Sequence, residues 1–220
     1  MRLSASRFLF LLTLMFTSIA SNAQYIRGAL IAGGNAAQVD GDEVFGYHKY
    51  GFQLGASAII QFNEKWSVSL ENIFNQKGAW QKARYSDGYY NLQLDYVEVP
   101  VLLQYTDRDR ITVGTGFSWG KLVKVEELNK RDSSLLTEGT YNQNDWDILA
   151  DLRFRLYKSL KLNIRYAYSL SKIATRNVKD SKSGNYNTRD QYNNLFSFRL
   201  MYIINEPKRV ATEPRPSRNE

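Results

Sequence analysis

The chain has 220 residues, no cysteine, 14% aromatic residues and a formal charge of +7. That length suits one domain of ordinary size, and a cysteine-free chain excludes thiol nucleophiles, thiolate metal sites and disulfide staples. The positive balance calls for an anionic neighbour but does not by itself mark a nucleic-acid binder.

Arg2 and Arg7 form a basic start, Phe8 to Ile19 is a nearly unbroken apolar run, and Ser21-Asn22-Ala23 supplies small residues before Gln24. This is the layout of a cleavable signal peptide over residues 1–23, and the run is short for a spanning helix. The remaining chain carries +5. For an exported protein, the available anions are lipid headgroups and lipopolysaccharide phosphates, so these are the expected partners and nucleic acid is not.

Beyond residue 24 the recurring signal is alternation with period two. Gln24 to Gly34 is the weakest segment, rich in glycine and alanine, with Arg27 marking its polar face. Lys49 to Phe62 is the clearest: Phe52, Leu54, Ala56, Ala58, Ile60 and Phe62 share one face, with Gln53, Gly55, Ser57 and Gln61 on the other. The third sets Trp66, Val68, Leu70 and Phe74 against Ser67, Ser69, Glu71 and Asn75.

The fourth segment changes phase. Its apolar residues are even-numbered from Leu92 to Tyr96 and odd-numbered from Val97 to Tyr105. Such a switch predicts a bulge, and Pro100 just beyond it requires a bulge or a break in the ladder. The fifth to eighth segments place Ile111–Trp119, Trp146–Leu156, Leu160–Leu170 and Phe196–Ile204 apolar on alternate residues, against polar partners.

Short connections at 63–64, 106–109 and 158–159 alternate with long polar ones around 35–48, 78–90, 127–144 and 174–193. Eight segments with this asymmetry predict an all-β, eight-stranded, antiparallel up-and-down transmembrane β-barrel over residues 24–205. The short turns then lie on the periplasmic side and the location is the cell outer membrane. Residues 206–220, with three prolines and little to bury, read as a disordered periplasmic tail.

Periodicity alone fits a soluble barrel with the faces inverted. Three features favour lipid outside. The apolar faces are nearly pure and carry Trp66, Trp119, Trp146 and Tyr202 near strand ends. Small residues gather on the polar face. That face also holds charges able to pair: Glu71, Glu98, Asp147 and Asp151 with Arg27, Arg153, Arg155, Arg165 and Arg199. Eight strands leave room only for side chains, so these charges predict a closed polar lumen and not a wide pore.

The sharper chemistry is thin. His48 is the single histidine and has no serine motif beside it, so an enzyme, even one acting on lipid, is not expected. Asp40, Asp42 and Glu43 supply oxygen ligands without a defined metal spacing; they are weak metal candidates, and no cofactor is expected. Lys121, Lys124, Lys130, Arg131, Lys172, Arg176, Lys179 and Lys182 make two long connections basic, which suits lipopolysaccharide phosphates, an acidic partner or plain solubility. Tyr85, Tyr89 and Tyr90 suit a binding surface or an interface girdle.

Tyr96-Val-Glu-Val-Pro-Val-Leu-Leu-Gln-Tyr105 resembles the Glu-Val-Pro strand of the PorT-like outer-membrane barrels of Bacteroidetes. Asn75-Gln-Lys-Gly78, Arg165 to Ile173 and Ala32 to Asp42 are similar to other parts of that family. The resemblance implies a barrel with no assigned activity; one branch of the family is associated with type IX secretion and gliding. The sequence reading is therefore a structural or interaction protein acting through extracellular loops, with an accessory role in secretion or envelope assembly, and an envelope protein partner, as the alternative.

Overall fold

The computed structural model describes residues 26–42, 46–81, 90–129, 141–179 and 186–206, with backbone alone at 129, 177–179 and 186–187. The expected signal peptide and residues 207–220 of the expected tail lie outside the described residues, as do Glu43, Tyr85, Tyr89, Lys130, Arg131 and Lys182.

Alternation turns into strands wherever one face is apolar and the other polar: β1 (Ile26–Asp40), β2 (Lys49–Gln61), β3 (Trp66–Gln81), β4 (Tyr90–Asp107), β5 (Ile111–Asn129), β6 (Asn144–Tyr157), β7 (Leu160–Ser169), β8 (Ala174–Lys179) and β9 (Tyr186–Ile203). All neighbours are antiparallel, and pairing of β1 with β9 closes the sheet into a ring. Closure leaves no unpaired edge across the lipid-facing belt, the condition for a sheet in hydrocarbon.

The ring has eight staves, as expected, although nine strands are present among the described residues. β7 pairs with β9 from Leu160↔Tyr202 to Tyr168↔Asn194. After a bend at 170–173, β8 takes up the same neighbour from Ala174↔Gln191 to Lys179↔Tyr186, with the register slipped by three residues. β8 is thus the upper continuation of the seventh stave. It occupies part of the stretch expected to be the fourth long loop, because β9 reaches above β7 and its free edge takes a partner.

Outward residues form one apolar belt. From Phe52 to Phe62 are ten residue steps, which at about 3.3 Å each and a tilt of about 40° cover about 25 Å, the height of a lipid-facing band. Trp119 and Trp146 are register partners at its extracellular edge, and Trp66 lies against Tyr105 with ring centroids 5.2 Å apart at the periplasmic edge. β3, β4 and β5 run on beyond the belt on the extracellular side, where the sequence had suggested loops.

The predicted bulge is present but displaced. β4 keeps its even-numbered residues inward along its whole length, Leu92, Leu94 and Tyr96 included. The register shift lies opposite Asp95/Tyr96, which pair with Lys124 and Leu122, so the extra residue is Val123 of β5. The apolar phase switches in β4 because the lumen changes character, from polar beside the belt to apolar above it. Pro100 does interrupt a ladder: β3–β4 pairing skips from Leu70↔Val101 to Ile73↔Glu98 in unchanged register, since a proline has no N–H to give.

Gly33 sits at the closing seam. A Cβ there would meet the Phe198 carbonyl oxygen at 2.3 Å and Arg199 Cα at 2.6 Å, so the β1–β9 approach requires a residue without one.

Candidate functional site

Inward side chains stack in layers. Toward the periplasmic end, on β1, β2, β3 and β9, Ala29, Ile31, Ile59, Ile73, Met201 and Ile203 pack together. Beside them Glu71 (β3) and Asp151 (β6) are enclosed by Arg153 (β6), Arg165 (β7) and Arg199 (β9), all buried. Arg165 grips both acids: its Nη1 donates to Glu71 Oε2 at 2.9 Å and its Nε to Asp151 Oδ1 at 2.5 Å. Arg153 bridges the same pair at 3.4 and 3.3 Å and donates to Gln104 Oε1 at 3.1 Å. Arg199 reaches Glu71 Oε2 at 3.4 Å, and its Nη2 and Nε donate to Asn163 Oδ1. The group carries three positive and two negative charges.

Ala37, Leu102, Leu149, Ala167 and Leu195 form a second apolar cluster, against the wall of β4, β6, β7, β9 and β1. A second charged group is built on Lys77, fully buried on β3. Its ammonium lies 2.8 Å from Glu98 Oε1, 3.1 Å from Asp145 Oδ2 and 2.7 Å from Asp147 Oδ2. Neutral donors absorb the excess of carboxylates: Asn75 Nδ2 reaches both Glu98 oxygens at 3.1 Å, Asn193 Nδ2 donates to Asp145 at 2.8 Å, and Ser169 Oγ to Asp147 at 3.1 Å.

Above it Val39, Ala79, Leu92, Leu94, Tyr96, Tyr141, Ile173 and Ala174 cap the lumen with apolar surface. At the extracellular rim Arg176 holds Glu127 with two hydrogen bonds of 2.8 and 2.6 Å, and Tyr141 donates to the same carboxylate at 2.8 Å. Burial pushes the Glu127 carboxyl up, but the Arg176 guanidinium outweighs it and holds the group below the ordinary value of 4.5.

The structure brings together seven of the nine lumen charges read from the sequence: Glu71, Asp151, Arg153, Arg165 and Arg199 in one group, Glu98 and Asp147 in the other. Two stand apart. Arg27 faces inward near the periplasmic end, half-buried and outside both groups. Arg155 is also a rim residue: its Nε donates to the Asp109 carbonyl at 2.7 Å, its Nη1 to the Lys158 carbonyl at 2.9 Å and its Nη2 to Glu206 at 2.6 Å. It clamps two periplasmic turns to the first residue of the expected tail. Sequence reasoning missed Lys77, Asp145 and Asn163. Lys77 and Asp145 lie on the inward phase just beyond the segments read, so alternation extended by one or two residues finds both; Asn163 stands on the polar face of the seventh segment, and only its role as acceptor for Arg199 was missed. The polar lumen also contains apolar clusters, toward the periplasmic end, beside the charged groups and above them.

The other candidates are dispersed. Asp40 Oδ1 accepts from Gln38 at 2.7 Å and Oδ2 from Asn194 at 3.0 Å, so both oxygens brace the barrel wall. Among the described residues no group of three His, Cys, Asp or Glu side chains could hold a metal ion. His48 is exposed on the first extracellular connection. Of the basic residues at the rim, Arg176 is held by Glu127, Lys124 and Lys172 are exposed beside Glu126 and Asp190, and Lys121 donates to Gln143 at 2.7 Å.

A ring-closed antiparallel sheet with an apolar belt, aromatic edges and an interior filled by ion pairs is a membrane-spanning barrel of the bacterial outer membrane. The chain belongs to the outer membrane protein beta-barrel domain family, which matches residues 20–175. Comparison with curated proteins finds no match. Among solved structures it is similar to Ail, the attachment invasion locus protein of Yersinia pestis, at 14% identity and TM-score 0.45, covering 81% of this chain and 98% of that one. It is also similar to OprG from Pseudomonas aeruginosa (17%, TM-score 0.43, 82% and 95% covered) and to a major outer membrane protein from Thermus thermophilus (13%, TM-score 0.46, 81% and 99% covered). These likenesses concern the fold alone.

Proposed function

We propose that this barrel acts at the cell surface as an interaction protein, with lipopolysaccharide as the immediate partner of its extracellular wall and no transport through its lumen. The observation that carries the reading is the contrast between interior and exterior. Among the described residues the lumen is filled by paired charges, hydrogen-bonded polar groups and packed apolar side chains, while the wall continues beyond the belt with exposed Lys124 on β5, Lys172 in the bend before β8 and Arg189 on β9. Phosphates of lipid A lie at that height and suit ammonium and guanidinium groups.

The test is titration of the refolded barrel, in micelles, with lipopolysaccharide carrying or lacking the lipid A phosphates. Phosphate-dependent, salt-sensitive binding that weakens in a Lys172→Gln/Arg189→Gln variant supports the proposal. Equal binding of both lipids removes it. The likeness to PorT-like barrels supports membership of that group but not its secretion branch. In the Tyr96–Tyr105 strand, Glu98 serves Lys77 and Pro100 breaks the ladder, so the recognisable residues serve the barrel itself.

A further inference from the structure

The lipid-facing belt carries two polar side chains at mid-depth among the described residues, Asn72 and Thr115, and they are treated differently. Thr115 Oγ1 donates to the Leu149 carbonyl of its own barrel at 2.9 Å. Asn72 is exposed on the outer face of β3, paired in register with Ala56 near the middle of the belt, and its carboxamide has no hydrogen-bond partner among the described residues. It borders a lipid-facing recess of about 860 Å³, shaped by the small Ala32 and Ala56 between Leu54, Phe74 and Leu200.

An unpaired amide in hydrocarbon is costly. Acyl chains cannot satisfy it, and the ester and headgroup zones of lipid lie about 15 Å from the midplane. The partner must therefore bring a polar group to the same depth inside the membrane. We propose that the recess is the contact surface for a second copy of this chain, with the two Asn72 carboxamides paired across a twofold axis normal to the membrane.

Two copies inserted with the same orientation necessarily place Asn72 at equal depth. An isologous contact then sets each amide against its own image, where one N–H and one C=O per side satisfy each other. The alanines let the backbones approach, as small residues do in other intramembrane contacts, and Leu54 and Phe74 of each copy form the ridge beside the other's recess.

The chain has no cysteine, so Ala56→Cys reports the contact while leaving Asn72 in place. In native outer membranes a short thiol cross-linker should give a dimer with Ala56→Cys. Ala150→Cys, outward at similar depth on β6 across the ring, should remain monomeric. Adding Asn72→Leu to Ala56→Cys should weaken self-association in micelles about tenfold, the effect of losing two amide hydrogen bonds of membrane magnitude. Heat-dependent gel migration verifies that each variant is folded. Equal cross-linking of the two cysteines, no cross-link from Ala56→Cys, or an affinity untouched by Asn72→Leu overturns the proposal. A recess filled by lipid gives the second of these results.

Discussion

Replacing Lys77 with methionine removes the cation that three buried carboxylates share. Each contact, near 3 Å, is worth roughly 6 kcal/mol of attraction at an effective dielectric of about 20. Most of that sum is spent on keeping the groups from water, so the net loss follows the behaviour of other broken buried pairs, about 3–5 kcal/mol. The formal charge of the group would pass from −2 to −3 with Glu98, Asp145 and Asp147 still enclosed. Urea unfolding in micelles, read by the fluorescence of the four tryptophans and by gel migration, measures it. Lys77→Met should lose about 3–5 kcal/mol, and Lys77→Met/Asp145→Asn/Asp147→Asn should regain more than half, because it removes the stranded charge as well as its partner. A Lys77→Met protein within about 1 kcal/mol of the parent, or a triple variant no more stable than the single one, would refute the electrostatic account of the lumen.

Gly33→Ala should cost more than about 2 kcal/mol in the same unfolding assay, because its Cβ meets the Phe198 backbone at 2.3 Å on the closing seam; a cost near zero would mean that the seam is looser than described. Arg155→Ala should leave barrel stability within about 1–2 kcal/mol of the parent, yet make the bond after Glu206 more open to proteases, because the 2.6 Å ion pair is lost and, among the described residues, only Lys161, at 3.5 Å, still holds that carboxylate. At the extracellular rim the Glu127 carboxyl is held below its ordinary value of 4.5, so its contribution is complete above that pH and is lost as pH falls through the lower folded value. Hydrogen exchange at 122–128, corrected for its intrinsic pH dependence, should therefore quicken as the pH falls below the ordinary carboxyl value of 4.5, and Arg176→Gln should abolish the protection already at neutral pH.

The staves and their faces were legible because period-two alternation reports directly which side meets hydrocarbon, and nothing else in the chain competes with it. Lys77 and Asp145 escaped because the third segment was ended at Asn75 and the sixth begun at Trp146, where outward residues stop being uniformly apolar. The strands in fact continue above the belt, and there the outside faces water. The same transition explains the misplaced bulge. Leu92, Leu94 and Tyr96 are apolar because they cap the lumen, so the binary pattern inverts without any change in strand phase. The true bulge at Val123 lies in Lys121-Leu-Val-Lys-Val-Glu126, where neither face has a consistent polarity to betray it. Asn163 was placed on the polar face but not recognised as the acceptor for Arg199, since pairing across the lumen depends on which staves stand opposite, a property of the closed ring and not of any one strand.

The central claim is that the lumen is closed by its own side chains. Planar-bilayer recording of the refolded protein tests it most directly. The account predicts no unitary current, while reproducible channel openings from the parent protein would contradict it and return the lumen to the list of candidate pathways.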